Sequence, residues 1–268
     1  MKKSETEQDR LLLLTRTNRI REDITSEIRK GLKEKDFLKN EILVPVLRKI
    51  DIPEVRLKYA SSYSEGDTVV PNRSYQKLGL LKDRSYEVVH TNIQKNIVTL
   101  QRGTQKVELP VSDHSQVSLF AKSSLPVAEG DKMIWNRNIR SKGQMNNSGF
   151  VVEEVSKKGV LVRAENGQAK ILNPAEAQHM EHAWVLTLYK AQGQTASDVL
   201  QIVDSRTTKK DLLVGVSRAA DNVLLVAETK EAVLKSAEFD PQKVVAAEEI
   251  GFTTLQKVKK EAKREKAR

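Results

Sequence analysis

The sequence has no cysteine among its 268 residues and only four histidines. The absence of cysteine excludes disulfides, thiol nucleophiles and thiolate zinc sites, and it fits a reducing compartment. No apolar run approaches the roughly 18 residues that span a bilayer, and the first residues turn acidic and polar where a signal peptide becomes apolar. We therefore expect a cytoplasmic chain without membrane insertion.

Positive charge is in excess, because 46 Lys and Arg residues face 36 Asp and Glu, which gives a net charge of +10 and a pI near 9.6. Such a charge attracts polyanions through a long-range, salt-sensitive field, although charge alone does not separate nucleic acid from a membrane surface. The basic end, residues 257–268, forms either a binding tail or a solvated helix. With 38% hydrophobic and 31% charged residues, the composition predicts a soluble globular protein of more than one packing unit.

Both ends of the chain show the pattern of an α/β fold. The apolar run in residues 10–15 predicts a buried parallel strand, and residues 18–32 carry isoleucine or leucine at every fourth position, which is typical of an amphipathic helix. A further strand is predicted over residues 183–188, followed by a turn with glycine, helix signals, and apolar segments at 212–216 and 223–226. The two ends are expected to share one sheet.

Between these ends lies a β-rich stretch, residues 58–174, that contains an internal repeat with an offset of 64 residues. The segment 65–73 matches the segment 129–137. The register continues without a gap at later pairs: Gly79 and Gly143, Tyr86 and Phe150, Val88 and Val152, Pro110 and Pro174. Each copy predicts a Gly-Asp turn, a strand, a long loop and an aromatic-led hairpin, and two tandem SH3-like or OB-like barrels fit this pattern.

Residues 187–195 carry the most informative motif, Thr-Leu-Tyr-Lys-Ala-Gln-Gly-Gln-Thr. A glycine after a strand lets the backbone approach a ligand, and the polar side chains beside it can meet a phosphate or a nucleic-acid backbone. A plain strand-to-helix turn explains the spacing equally well. Further on, Arg218 follows an apolar run at a predicted strand-to-helix junction, where its permanent planar charge suits a transferring phosphoryl group. A salt bridge with Asp198 or Asp221 is the structural alternative.

Together these segments resemble helicase motifs V and VI of the RecD-like branch of superfamily 1. Residues 187–195 are similar to the motif V pattern T-x-H-K-S/A-Q-G-x-T, and residues 214–219 are similar to the motif VI pattern V-A-L-S-R-A. Residues 13–18 resemble the motif IV region, and a tandem β insert between motifs IV and V resembles conjugative relaxase/helicases of the TraI type. Tyr189 and Gly215 depart from the patterns, which have histidine and alanine there.

The resemblance implies a RecA-like second motor domain formed by residues 10–57 and 176–240, with barrels at 58–119 and 120–175 and a basic helical tail at 241–268. No Gly-x-x-x-x-Gly-Lys-Ser/Thr loop occurs among the twelve glycines, and no apolar strand ends in Asp-Glu for magnesium. We therefore expect a fragment that holds no cofactor of its own and is inactive alone. ATP and Mg belong to the parent helicase, completed by an N-terminal half of the same polypeptide.

The resemblance also implies roles for single residues. Arg218 and Gln192 are the catalytic candidates, and Gly193, Lys190 and Ser217 are the candidates for nucleotide contact. Because motif V and the insert are expected to line one channel for single-stranded DNA, the DNA-binding candidates are Thr187, Thr195, Arg73, Trp135, Arg137, Arg140 and Lys142. Cations and one aromatic at loop margins suit sequence-tolerant binding. Trp135 fits a barrel core equally well, and the Asn-Arg pairs at 72–73 and 136–137 can instead close a turn.

No metal site is predicted, because His179 and His182 have no third ligand nearby in the sequence. A second function stays open beside the motor. In TraI-type proteins the region around the inserts serves as a translocation signal read by a type IV secretion system. The resemblance therefore also allows a non-catalytic recognition module that docks a secretion coupling protein and is transferred to a recipient cell during conjugation.

Overall fold

The computed structural model describes residues 11–156 and 158–239, so the predicted basic tail lies outside the described residues. One compact unit contains the described residues up to Arg21 and from Leu186 onward, and the other spans Glu22–Val185. The strands and helices are, in chain order, β1 (Leu11–Thr15), α1 (Asn18–Glu34), β2 (Lys39–Lys49), β3 (Thr68–Pro71), β4 (Tyr86–Asn92), β5 (Ile97–Arg102), β6 (Gln105–Pro110), β7 (Val117–Glu129), β8 (Lys132–Trp135), β9 (Gly149–Ser156), β10 (Gly159–Ala164), β11 (Ala169–Leu172), β12 (Met180–His182), β13 (Leu186–Thr187), β14 (Ala196–Ile202), α2 (Lys209–Val216), β15 (Ala219–Val226) and α3 (Lys230–Glu238).

The first unit is built on a four-stranded parallel sheet in the order β13-β1-β14-β15. β1 ends in Leu14 and Thr15, which are fully buried, as the apolar run predicted. The strand predicted over residues 183–188 is shorter, because only Leu186–Thr187 pairs with β1. Both ends of the described chain thus contribute to one α/β sheet. None of the described helices is long and apolar enough to span a membrane.

The second unit contains two antiparallel sheets, and strand β7 of one of them contributes side chains to two hydrophobic cores. One sheet has the order β2-β7-β3-β4-β5-β6, and the other has the order β11-β10-β9-β8-β12. β7 contributes Val117 and Leu119 to one hydrophobic core, and Leu125 and Val127 to the other. The predicted boundary between residues 119 and 120 therefore falls inside a continuous strand. Over the described residues neither sheet closes on itself, and the expectation of two tandem barrels is not confirmed.

β2 also belongs to a different unit from the one that was predicted for it. Residues 10–57 were expected to belong to the α/β domain, but β2 pairs along its length with β7, from Lys39 opposite Glu129 to Lys49 opposite Phe120. The antiparallel ladder draws this segment into the β-rich unit, which begins at Glu22. Only β1 and the start of α1 remain with the parallel sheet.

The 64-residue repeat is visible in the backbone hydrogen bonds of the second unit. Gly66 and Gly130 have positive φ angles of 90° and 87°, a conformation that favours glycine. Each donates its N–H at 2.8 Å to the carbonyl of an equivalent valine, Val88 in the first copy and Val152 in the second. The same Gly-Asp turn therefore starts both copies.

The register of the repeat slips after the equivalent strands β4 and β9. Asn92 pairs with Ile97 across four intervening residues, whereas Ser156 pairs with Gly159 across two. β10 is consequently displaced by two residues relative to β5. The two copies share a plan and differ in their hairpins.

The helix α1 confirms the predicted amphipathic segment, yet its most buried side chains are polar. Arg21, Thr25 and Arg29, which recur at every fourth residue, are 5 to 7% exposed. Arg29 donates from Nε and Nη2 to the two carboxylate oxygens of Asp131 at 2.9 and 2.8 Å. Asp131 is completely buried, so this ion pair fixes α1 to the Gly-Asp turn of the second copy.

Candidate functional site

The motif-bearing segment 187–195 leaves the sheet at β13 and forms consecutive turns. Thr187 is buried and organises the first turn, because its carbonyl accepts from the Ala191 N–H at 3.0 Å and its hydroxyl accepts from the Lys190 N–H at 3.4 Å. Gly193 has a φ of 87°, and the space beside it is open. No helix follows this glycine, contrary to the predicted strand-to-helix turn, because the chain enters β14 at Ala196.

Arg218 lies between α2 and β15, so the predicted strand-to-helix junction is wrong: the junction runs from helix to strand. The apolar segment 212–216 is helical because Thr208 and Asp211 form a capping box, with each side chain accepting from the other's N–H. Ser217 is exposed, and its hydroxyl donates to the carbonyl of Val214 at 2.9 Å. Both motif VI candidates therefore sit in the last turn after α2.

The structural salt bridge that the sequence allowed for Arg218 is not formed among the described residues. Within the described residues it forms no ion pair with Asp198 or Asp221, since the Asp198 carboxylate accepts from the Asn222 amide at 2.8 Å. Arg218 is half-buried, and its Nε has no hydrogen-bond partner among those residues. The permanent charge of this planar cation is therefore not neutralised by a carboxylate of the described residues.

Gly215, the departure from the motif VI pattern, is required by a neighbouring side chain. A Cβ at this position would lie 1.9 Å from Oε1 of Gln201. Gln201 is fully buried in β14 and donates from Nε2 to the carbonyl of Asp211 at 3.0 Å. Glutamine at 201 and glycine at 215 are therefore a matched pair.

The candidates of the first unit form two groups at opposite ends of the sheet. In the parallel sheet, Leu14 of β1 pairs with Leu186 of β13 on one side and with Gln201 of β14 on the other. The next residue of β13, Thr187, is therefore at the level of Ile202, the last residue of β14, and β14 begins six residues earlier at Ala196. At about 3.3 Å per residue this separates Thr187 from Ala196 by roughly 20 Å along the strand. The N–H of Ala196 donates to the carbonyl of Arg218 at 2.9 Å. Thr195 thus lies beside Arg218, while Thr187 and the backbone of Lys190 lie at the other end.

Trp135, predicted to contact DNA, is a core residue. It is 4% exposed and stacks on Phe150 with ring centroids 4.3 Å apart. All three residues of the run 133–135 are buried, so both faces of this strand are covered. The ring of Trp135 is not available for stacking on a base.

Arg137 connects two loops that are equivalent in the repeat, residues 72–85 and 136–149. Its Nη2 lies 3.1 Å from the carboxylate of Asp83 and 3.4 Å from the amide oxygen of Asn72, and the guanidinium lies over the ring of Phe120. Only 14% of its side chain is exposed. Its counterpart Arg73 is exposed and lies 4.9 Å over the ring of Tyr75.

Arg140 and Lys142 are exposed on a 3-10 turn, as their sequence positions suggested. Lys142 lies 3.4 Å from the carboxylate of Glu176, and its carbonyl accepts from Lys170 Nζ at 2.8 Å. Burial and the neighbouring charge of Lys142 lower the pKa of Lys170. This surface therefore has an excess of positive charge.

The burial of His179 and His182 was not predicted from the sequence, and neither was the ion pair between Arg29 and Asp131. His179 is 5% exposed, and burial, with Arg137 and Lys142 nearby, lowers its pKa to about 4. The Nε2 atom of His182 lies 2.8 Å from the carbonyl of Pro126. No group of three or more His, Cys, Asp or Glu side chains that could hold a metal occurs in the described part of the chain.

No protein-family model matches the sequence. Solved structures similar to the chain include the Pif1 helicase from Bacteroides in complex with ADP-AlF3 and ssDNA, at 13% identity and a TM-score of 0.46 over 90% of this chain and 45% of that chain. They also include the Pif1 helicase from Candida albicans, at 14% identity and a TM-score of 0.26 over 84% of this chain and 49% of that chain.

Two curated relatives share the name multifunctional conjugation protein TraI. The chain is 22% identical over 219 residues to the protein from Escherichia coli and 24% identical over 223 residues to that from strain K12. Each match covers 79% of this chain and 12% of the relative, so the chain spans only a small part of their length. Over most of its length the chain is thus similar to part of the TraI conjugation proteins, in agreement with the predicted resemblance to conjugative relaxase/helicases.

Proposed function

We propose that this chain is the second motor half of a conjugative relaxase/helicase and that it contacts single-stranded DNA. The observation that carries the proposal is the placement of both motifs on one parallel sheet. Residues 187–195 connect β13 to β14, and Ser217 and Arg218 precede β15, beside the end of that connection. The similarity to TraI supports the same function class.

ATP-driven translocation then needs a second half. The sequence lacks a phosphate-binding loop, so the phosphates and magnesium of the nucleotide would be held by another part of the parent protein. Arg218 suits a nucleotide held elsewhere, because its charge is permanent and its Nε is unpartnered within the described residues. Its role is to stabilise charge on phosphates that the N-terminal half presents.

DNA contact is supported by the charge of two equivalent loops, residues 72–85 and 136–149. Together they carry seven cations and one carboxylate, Asp83, which pairs with Arg137. The other cations are exposed: Arg73, Lys77, Lys82, Arg84, Arg140 and Lys142. Exposed cations on loops bind phosphates without reading base edges, so the affinity should be salt-dependent and tolerant of sequence.

Fluorescence anisotropy of a labelled thymidine oligonucleotide over a salt series tests this proposal. We expect Arg140→Gln combined with Lys142→Gln to weaken binding and to reduce the slope of log K against log salt by up to about 1.4, because each phosphate contact contributes about 0.7. The charge-matched control is Arg102→Gln with Lys106→Gln, on the exposed β5–β6 hairpin. Equal losses for both pairs, or binding that ignores salt, would contradict the proposal.

A second candidate function, docking of another protein, is favoured by exposed apolar side chains on the first unit. Leu213 and Val216 on α2 are 60% and 45% exposed, and Leu224 and Val226 on β15 are 59% and 42% exposed. The strands of a parallel sheet are usually covered on both faces. The partners to test are the N-terminal helicase half and a secretion coupling protein.

Pull-down with each purified partner measures this function. Leu213→Ser with Leu224→Ser should reduce capture, whereas Leu43→Ser, which alters an equally exposed leucine on β2, should not. Capture that is unchanged in the double variant would remove the docking function from this surface.

A further inference from the structure

Tyr189 has the most exposed aromatic side chain in the described part of the chain, at 81%. The tyrosines Tyr63, Tyr75 and Tyr86 are buried, and their hydroxyls form hydrogen bonds of 2.7 to 3.1 Å with backbone groups. The Tyr189 hydroxyl has no such partner among the described residues. Both faces of an aromatic ring and its polar edge are therefore open to a ligand.

The backbone under this ring is fixed. The Leu188 N–H donates to the carbonyl of Thr15 at 3.0 Å, which ties the residue before Tyr189 to the end of β1. The carbonyl of Tyr189 accepts from the Gln192 N–H at 3.3 Å. An exposed ring on an anchored turn loses little conformational freedom on binding, which favours its use as a platform.

The charge around Tyr189 favours a nucleic acid. No carboxylate occurs in the sequence between Glu181 and Asp198, and the residue after the tyrosine is Lys190. Gln192 adds an exposed neutral polar side chain. An aromatic platform among cationic and neutral polar groups is the combination that binds single strands without sequence preference.

We propose that Tyr189 stacks on a nucleobase of the bound single strand, at the end of β13 that lies away from Arg218. This inference rests on the proposed DNA contact and adds a base-stacking site to it. Tyrosine replaces the histidine of the motif V pattern and offers a larger flat surface. Stacking needs a base but no particular base, in keeping with sequence-tolerant binding.

The experiment uses thymidine oligonucleotides that carry one 2-aminopurine, whose fluorescence falls when the base stacks. Wild type and Tyr189→Phe should quench it on binding. Tyr189→Ala should lose the quenching and bind about tenfold more weakly, at an unchanged salt slope. Tyr59→Ala, which removes a tyrosine that is 57% exposed elsewhere, should behave as wild type.

Two further arms separate the possible failures. On an oligonucleotide with abasic sites, wild type and Tyr189→Ala should bind equally, because no base is left to stack. If the wild type binds the base-containing oligonucleotide and Tyr189→Ala shows the same affinity and the same quenching, the stacking site is wrong but the DNA contact is not. If the wild type binds no oligonucleotide, both proposals are wrong. If Tyr189→Ala weakens binding of free ATP but not of the oligonucleotide, the base belongs to a nucleotide and the inference is wrong.

Discussion

Replacement of Asp131 by alanine should destabilise the second unit far more than replacement of its repeat counterpart Asp67. The Asp131 carboxylate is fully buried and accepts from two nitrogens of Arg29, from the Trp184 indole at 3.0 Å and from the Ala128 N–H at 2.8 Å. Burial opposes the charge of Arg29, but hydrogen bonds and charge from Asp131 and Glu41 leave its pKa raised. Asp131→Ala leaves Arg29 with only the partly exposed Glu41 as an ion-pair partner among the described residues and removes the acceptor of the Trp184 indole, and breaking a buried pair costs about 3 to 5 kcal/mol.

Asp67 provides the matched control within the same molecule. Its carboxylate accepts from the Ser64 N–H at 2.9 Å, the equivalent of the Ala128 contact, but it has no arginine partner among the described residues. Asp67→Ala should therefore cost only about 0.5 to 1.5 kcal/mol. Urea unfolding followed by tryptophan fluorescence and by circular dichroism measures both. Equal losses in the two variants, or a loss below about 1 kcal/mol for Asp131→Ala, would refute the argument.

Three further predictions concern the matched pair, the buried histidine and the nucleotide. Gly215→Ala should cost about 1 to 3 kcal/mol, because the methyl group meets Gln201, and the cost should shrink in a Gln201→Ala background; an equal cost in both backgrounds contradicts the pairing. The folded pKa of His179 is about 4, below its unfolded value, so the unfolded chain takes up the proton first and stability should fall by about 2 kcal/mol from pH 7 to pH 5. His179→Gln should remove that fall, and urea midpoints at the two pH values decide. The pure chain should show no DNA-stimulated ATP hydrolysis, and Arg218→Ala should lower turnover of the full-length parent about 10³-fold or more; turnover by the chain alone would count against a half motor.

The repeat could be predicted from sequence because its turns are local. The turn before each aspartate has a positive φ at Gly66 and at Gly130, a conformation that favours glycine. Both copies therefore have the same Gly-Asp pair at this turn. The helix α1 and the strand β1 likewise followed from periodicity. Local rules of this kind do not depend on which strand becomes a neighbour.

The predictions that depended on which strands pair with each other, or on which distant residue a side chain contacts, could not be made from the sequence. The sequence allowed Trp135 to lie in a core or to contact DNA, and its burial depends on contacts such as the one with Phe150, fifteen residues later in the chain. β7 contains three serines and a proline, and it is one strand because β2 pairs along it. The Arg29–Asp131 pair joins residues 102 positions apart, and its only local sign is the row of polar residues at every fourth position of α1.

One error was avoidable. The segment 212–216 is too short for its apolar content to separate a strand from a helix. Thr208 and Asp211, spaced as a capping box just before it, mark a helix start and would have placed Arg218 after a helix.

Hydrogen–deuterium exchange with and without a saturating thymidine oligonucleotide shows where on the chain DNA binds. The proposed DNA contact predicts slower exchange in residues 187–195 and in the loops 72–85 and 136–149. It predicts no change in the β5–β6 hairpin. Protection that is absent from residues 187–195, or that is spread equally over the hairpin, would contradict the account.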